Sequence, residues 1–320
     1  MAEVTRWADR AMYPSEEMKS SRPVVKLVSM NADPLGDLAS MWGMYAGVEK
    51  PDLEAISDEE RLEAFEEVMK TRLKAPLESI KFHFIISGVT RAFTHQIVRQ
   101  RTAVYAQESL RFAVIEDSFA SRVQIPPSIL RLPVHDQRYQ IWLKTLDAME
   151  EGYRFLINNG IPAEDARGLL PTNITTRLHY LTDLRNLLEV MGNRLCTQAQ
   201  FEWRAVALGI AQAVSGAECE VYSDANGREN VFMAKELATI FRPVCYATGK
   251  CEFMANLDRH CGIRDRVQAN HKINRPSSEW DQPTIVDRQP DPVLTIDGID
   301  PREWLADPWA AVAPAPERSS

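Results

Sequence analysis

Residues 80–87 read I-K-F-H-F-I-I-S, alternating apolar and polar side chains at the start and turning fully apolar toward the end. A period of two places one set of side chains on one face of a strand, and a continuous apolar stretch marks a strand that enters a core. The run therefore predicts a strand buried at its far end. Ser87-Gly88 predicts its break, and the segment from about Val89 to Arg99 carries Phe93, Ile97 and Val98 on one side with His95, Gln96 and Arg99 elsewhere, as a helix does. That helix delivers Arg99, Gln100 and Arg101. Side chains two apart on a helix point to different sides, so Arg99 and Arg101 converge on one ligand only if the helix ends between them. The β-branched Thr102 and Val104 fit such an ending.

Around this unit the pattern is mostly helical. Val24 to Met30 is short, β-branched and followed by Asn-Ala-Asp-Pro, which predicts a first strand and a turn. Helices are expected over Leu35 to Tyr45, from a capping box at Ser57-Asp58-Glu59-Glu60 with an apolar stripe of Leu62, Phe65, Val68, Met69 and Leu73, and over Val134 to Asn158. Further helices are expected from near Ala163, over Leu178 to Gly192 and over Gln198 to Ser215. The class this implies is α+β, a small antiparallel sheet flanked by several long helices, without regular βαβ alternation. Beyond about Asn270, Pro276, Pro283, Pro290, Pro292, Pro301, Pro308, Pro314 and Pro316 interrupt the chain, and a proline-rich extension with Trp280, Trp304 and Trp309 as docking anchors is expected.

A net charge of -8 argues against a general nucleic-acid binder, whose affinity comes from surplus Lys and Arg, so any anionic ligand must meet locally concentrated Arg. No apolar run approaches the roughly 18 residues of a membrane span, and the N-terminus lacks a basic-then-apolar pattern, so the expectation is a cytoplasmic protein without membrane or nucleic-acid partners. Five cysteines, an odd number, argue against a disulfide framework.

Arg99, Arg101 and Arg111 place three guanidiniums in one short segment with Ser109 between them. Guanidinium is always charged, and its planar fork of donors matches phosphate oxygens, so this array suits a nucleotide. A solvated basic loop is the alternative. The spacing Arg99-x-Arg101, then seven residues, then Ser109 resembles the R-H-R-x7-S signature of flavin-dependent thymidylate synthases, the ThyX family. Ala166-Arg167-Gly168-Leu169-Leu170-Pro171-Thr172-Asn173 resembles that family's A-R-x-x-L-P-x-N turn, and Thr176-Arg177 with Asp183, Arg185 and Arg194 keeps its downstream spacing. The chain departs from the family pattern at Gln100, where the signature has His, and at Asp183, Glu189 and Gln198, where Asn, Asn and His are expected. A carboxylate only accepts hydrogen bonds, so Asp183 and Glu189 must face donors or be protonated.

The resemblance implies a catalytic domain over residues 24–218, after an N-terminal extension of 1–23 and before a Cys-containing extension of 219–272 and a proline-rich tail of 273–320. It implies reductive methylation of dUMP to dTMP with FAD as cofactor and NADPH and methylenetetrahydrofolate as cosubstrates, in a homotetramer with sites between subunits. Gln96, Arg99, Glu108, Ser109, Arg111, Arg167 and Arg194 would bind the pyrimidine deoxynucleotide monophosphate. Arg99, Gln100, Arg101, Gln107, Asp183, Arg185 and Glu189 would lie at the flavin. Arg194 would be catalytic, ionising the base at N3; for an isolated Arg at that place the alternative is an answer to the helix dipole. Arg167 would complete a neighbouring subunit's pocket. Two other readings are a flavin-dependent dCMP or dUMP hydroxymethylase and a noncatalytic nucleotide-binding assembly protein.

His83 and His95, among apolar neighbours, read as core or supporting histidines. Cys245, Cys251, His260 and Cys261 hold enough sulfur and imidazole for a zinc site, but adjacent His260 and Cys261 make tetrahedral geometry awkward; buried free thiols are the preferred reading, a redox role is the third, and no metal is expected.

Overall fold

In the computed structural model, residues 23–130, 132–196, 199–215, 240–241 and 243–244 are described. Residues 1–22, most of the Cys-containing extension with its Cys245 to Cys261 group, the proline-rich tail and Gln198 lie outside them. The architecture is α+β. Four strands, β1 (Val24–Met30), β2 (Lys81–Thr90), β3 (Val104–Gln107) and β4 (Thr175–Asp183), form one antiparallel sheet in the order β1-β2-β4-β3. The longer helices are α1 (Pro34–Tyr45), α2 (Asp58–Lys70), α3 (Arg91–Ile97), α4 (Gln137–Asn158), α5 (Leu184–Arg194) and α6 (Phe201–Ser215).

The capping box forms as expected: the Ser57 hydroxyl accepts from the Glu60 amide, and the Glu60 carboxylate accepts from the Ser57 amide. The stripe on α2 is shifted. Ala64, Phe65 and Val68 are buried with the stem of Arg61, whereas Leu73 lies past the helix end and is exposed. Arg61 reaches the Asp33 carboxylate at 2.8 Å and the Leu53 carbonyl at 2.8 Å, while Asp33 caps α1 by accepting from the Gly36 amide at 2.7 Å. One buried ion pair thus joins the start of α1 to the loop that opens α2.

The strand predicted from Ile80 does not stop at Gly88. Gly88 adopts φ 71°, and the register slips by one residue between Ser87 and Val89, which is a β-bulge placed on the residue that tolerates it. A one-residue slip exchanges faces. Phe82, Phe84 and Ile86 point into the core before the bulge, and Val89 does so after it. Thr90 is then free to cap α3, which starts at Arg91 rather than Val89.

A larger correction concerns Leu178 to Gly192, expected as one helix. Its first part is the central strand β4, whose Leu178, Tyr180 and Thr182 face inward and whose Arg177, His179 and Leu181 face outward; α5 begins only at Leu184. The core lies on one face of the sheet, where Phe84, Tyr180, Phe93, Trp203 and Ile210 meet under α1, α2, α5 and α6. A second core joins Phe119, Val123, Leu143, Tyr153 and Ile174, so that α4 carries the 110–125 segment. On the other face Val24, Val104 and Leu181 are exposed, beside Lys26, Arg177 and His179.

Candidate active site

Helix α3 is held at both ends by groups from elsewhere in the chain. At its start, the Thr90 hydroxyl accepts from the Phe93 amide at 3.0 Å and donates to Glu202 Oε2 at 2.7 Å, and the Thr90 amide donates to Glu202 Oε1. Along it, Thr94 Oγ1 accepts from the Gln107 amide group at 3.2 Å, and Gln96 donates to Gln200. The start of α6 is therefore bound to α3 by Glu202 and by Gln200, the residue before the helix, with Trp203 packed on Phe93 at 4.6 Å between ring centroids.

Glu202 is wholly buried, and burial pushes its carboxyl up to about 7 despite the two bonds from Thr90. Its ordinary value is 4.5. A carboxyl whose folded value is raised contributes stability that is complete below the unfolded value and is lost as pH rises through the folded one. Fold stability is expected to fall between pH 4.5 and about 7 through this group. Thermal unfolding of Glu202→Gln across that range checks it: the slope should flatten, and an unchanged slope would assign the dependence to other groups.

The helix ends at Ile97, before Arg99, and the chain turns so that the Arg99 amide donates to the Gln96 carbonyl at 3.2 Å and the Gln100 amide to Ile97 at 3.1 Å. Two stacked tyrosines stitch this turn from below. Tyr105 Oη donates to the carbonyls of Ile97 (2.7 Å) and Gln100 (3.1 Å), and Tyr180 Oη donates to the Gln100 side-chain oxygen at 2.6 Å. Gln100 returns a donor to Thr182 Oγ1 at 3.3 Å. Burial pushes the Tyr180 hydroxyl up to about 12, so it remains a donor at every working pH. The amide at the signature's middle position is thus bonded inward, and Arg99 and Arg101 are left exposed with no acidic partner among the described residues.

A second group lies beyond β3. The Glu108 carboxylate accepts from Arg122 at 3.2 Å and Thr176 at 3.3 Å and pairs with Arg177 at 3.5 Å, and its backbone carbonyl accepts from Arg91 at 3.5 Å. Ser109 accepts from the Arg111 amide at 3.4 Å. Arg111 pairs with Glu164 at 3.1 Å, and Arg167 Nε donates to the Glu164 carbonyl at 3.0 Å, so these two residues meet at one turn. Burial, then the positive charge of Arg167, pushes the Arg91 guanidinium down. Guanidiniums close enough to oppose one another mark a place where an anion is stabilised.

Asp183 faces donors as expected: it caps α5, accepting from the Asn186 amide at 3.0 Å and side chain at 2.8 Å, with Lys81 at 3.7 Å. Arg185 is paired with Glu78. Glu189 is exposed and has no cation beside it among the described residues. Arg194 ends α5, half-buried, with its guanidinium carbon 4.8 Å from the Trp203 ring centroid and no carboxylate partner among the described residues. Arg111 and Arg167 are therefore brought together by contact, Gln96 and Arg194 both meet the start of α6, and α3 links the two groups. Arg91, Gln200, Glu202 and Trp203 were missed in the sequence; the signal was a carboxylate next to Trp in the first turn of the largely apolar α6.

The family model for "Thymidylate synthase complementing protein" matches residues 26–217. A flavin-dependent thymidylate synthase of Geobacter sulfurreducens is 33% identical over 182 residues, 57% of this chain and 77% of the relative. One from Pyrococcus furiosus is 34% identical, covering 53% of this chain and 68% of that protein. A solved structure of a UMP/dUMP methylase from Streptomyces cacaoi, bound with 5-Br dUMP, aligns over 60% of this chain and 89% of its own at 20% identity and a TM-score of 0.47. The chain belongs to the thymidylate synthase complementing protein family, to which its curated relatives, the flavin-dependent thymidylate synthases, also belong.

Proposed function

We propose that the protein is a flavin-dependent thymidylate synthase that methylates dUMP to dTMP with methylenetetrahydrofolate as one-carbon donor. The observation that carries this reading is the family match over residues 26–217, which contains every Arg of both groups described above. Ser109, Arg111 and Arg167, with Arg99, bind the nucleotide phosphate, and the opposition of Arg91 and Arg167 is relieved when a dianion enters between charged groups. Gln96 and Glu108 serve sugar and base. Glu108 is oriented for this by Arg122 and Thr176.

Two exposed guanidiniums suit the diphosphate of a flavin dinucleotide. Arg99 and Arg101 are always charged and have no acidic partner among the described residues, whereas Gln100, Gln107, Asp183 and Arg185 are already bonded within the chain and would shape the flavin's surroundings rather than bind it directly. When bound there, FAD reduced by NADPH would supply the hydride. Arg194 stabilises the anion left when N3 of uracil gives its proton to water, and the electron density gained at the 5-carbon makes that carbon the nucleophile toward the folate one-carbon unit. Neutral cytosine has no N3 proton to lose, so Arg194 favours a uracil base over dCMP.

The active form is a homotetramer acting in the cytoplasm, where NADPH and folates are held. The outer sheet face supports assembly: Val24, Ile85, Val104, Ala106 and Leu181 share it with Lys26, His83, Arg177 and His179, and Val104 is 64% exposed. A second copy placed near that face would let Arg167 complete its neighbour's pocket. Leu181→Arg is expected to yield smaller species in sedimentation velocity and to abolish turnover; a fully active tetramer would place the interface elsewhere. Among the described residues no helix is long and apolar enough to cross a membrane.

An absorption spectrum of fresh protein, followed by tritium release from 5-tritiated dUMP with NADPH and methylenetetrahydrofolate, tests the assignment. A bound flavin and tritium release with dTMP formed are expected. Failure to bind FAD or to release tritium would leave a nucleotide-binding protein, and a hydroxymethyl product would point to water in place of hydride.

A further inference from the structure

Arg194 is held in an uncommon way for a half-buried guanidinium. Its charge lies over the Trp203 ring, 4.8 Å from guanidinium carbon to centroid, with no carboxylate partner among the described residues. Trp203 is 2% exposed and cannot swing away: its ring packs on Phe93, whose amide is bonded to Thr90, and Thr90 is bonded to Glu202, the residue before Trp203. Arg194 and Trp203 come from different helices, so the pair is a tertiary contact. The Trp203 indole N–H is buried with no hydrogen-bond partner among the described residues. An unpaired buried donor is unfavourable, and a phenyl or isobutyl group would fill much of the same space without it. What the indole adds is the ring face most attractive to a cation.

The chemistry of the two possible partners differs. A carboxylate binds guanidinium along its edge, takes up two of its five N–H donors and cancels its charge. A ring face contacts the plane and leaves the edge donors and the charge available. We propose that Trp203 is a positioning residue that holds Arg194 by its plane, so that the guanidinium edge is presented, charged and undirected by any acid, to the pyrimidine base. The inference rests on Arg194 acting at N3 of the base.

The test uses the full chain loaded with FAD, comparing wild type, Trp203→Leu and Trp203→Phe by kcat and KM for dUMP in tritium release, with flavin content and Tm measured alongside. Trp203→Leu is expected to lower kcat by roughly 3- to 30-fold at unchanged flavin content, more than it raises KM, because the contact matters most once the base is anionic. Trp203→Phe, which keeps a weaker ring face, should recover most of the loss. Where Trp203→Leu does not fold, growth on fluorinated tryptophan supplies a second measurement, since fluorine depletes the ring face at nearly constant shape. It should lower kcat in wild type and not in the Trp203→Phe background. Full kcat per flavin in Trp203→Leu, equal losses in the Leu and Phe variants, or no fluorine effect would overturn the proposal in favour of packing alone. Absence of tritium release in wild type would overturn the functional reading itself, and this inference with it.

Discussion

Arg194→Ala is expected to lower kcat for dTMP formation by about 10²- to 10³-fold, the loss that follows removal of one preorganised donor from a developing anion. Arg194 is half-buried on Trp203, and burial pushes its guanidinium down from the ordinary value; a guanidinium remains the side chain that keeps its charge in proteins. A charge so placed acts through little water and without a competing carboxylate, so its effect on a base anion exceeds that of a surface Arg. Arg194→Lys should restore only part of the rate, because an ammonium keeps the charge but not the planar fork. Tritium release at matched flavin content measures both. If Arg194→Ala turned over at the wild-type rate, activation of the base would have to run through another group.

Arg61→Ala should destabilise the fold by about 3–5 kcal/mol, the cost of leaving one member of a buried pair uncompensated. Arg61 is 7% exposed and Asp33 is 3% exposed, and the guanidinium also satisfies the Leu53 and Ile56 carbonyls. Its removal strands a carboxylate and two backbone acceptors in the region where α1 and α2 meet. At about 2–4 °C per kcal/mol for a domain of this size, Tm should fall by roughly 6–20 °C in a thermal melt. Asp33→Asn combined with Arg61→Leu should be milder than Arg61→Ala alone, because no lone charge remains and the cap on Gly36 keeps an acceptor. A loss below about 1 kcal/mol in Arg61→Ala would show that water reaches Asp33 and solvates it.

The two predictions depend on different levels of the fold. Arg61 and Asp33 hold the helical layer over the inner face of the sheet, 28 residues apart in the chain. Arg194 lies at the end of α5 in that layer, far from this ion pair in the chain, and its own contact is with Trp203 of α6. A variant that lost stability and kept its rate per folded molecule, beside one that lost its rate and kept its stability, would separate the two.

Local signals were readable wherever the deciding atoms lie within a few residues. The capping box at Ser57 and Glu60, the strand at Val24 to Met30 and the apolar end of β2 are all set by nearest neighbours, and the Arg99 to Arg111 array followed from side-chain chemistry alone. Leu178 to Asp183 misled for a definite reason: Leu178, Leu181 and Leu184 recur every three residues and imitate a helical stripe, while the alternation that governs the segment is set by pairing with β2. That pairing joins Phe84 to Tyr180, and no local propensity contains it. The bulge at Gly88 was equally hidden, because Gly marks both the end of a strand and a bend within one.

From its residues alone this chain settled its class, its family resemblance and the stock of Arg, Ser and Gln side chains available to a nucleotide, because each of these is a property of composition and short spacing. Tertiary structure decided which of those groups remain free to act. It bonded Gln100 inward to Tyr180, committed Asp183 to capping α5, paired Arg185 with Glu78, and placed Arg194 on an aromatic ring rather than on an acid. A side chain's charge is written in the sequence; its partners are set by segments distant in the chain that packing of the core brings together.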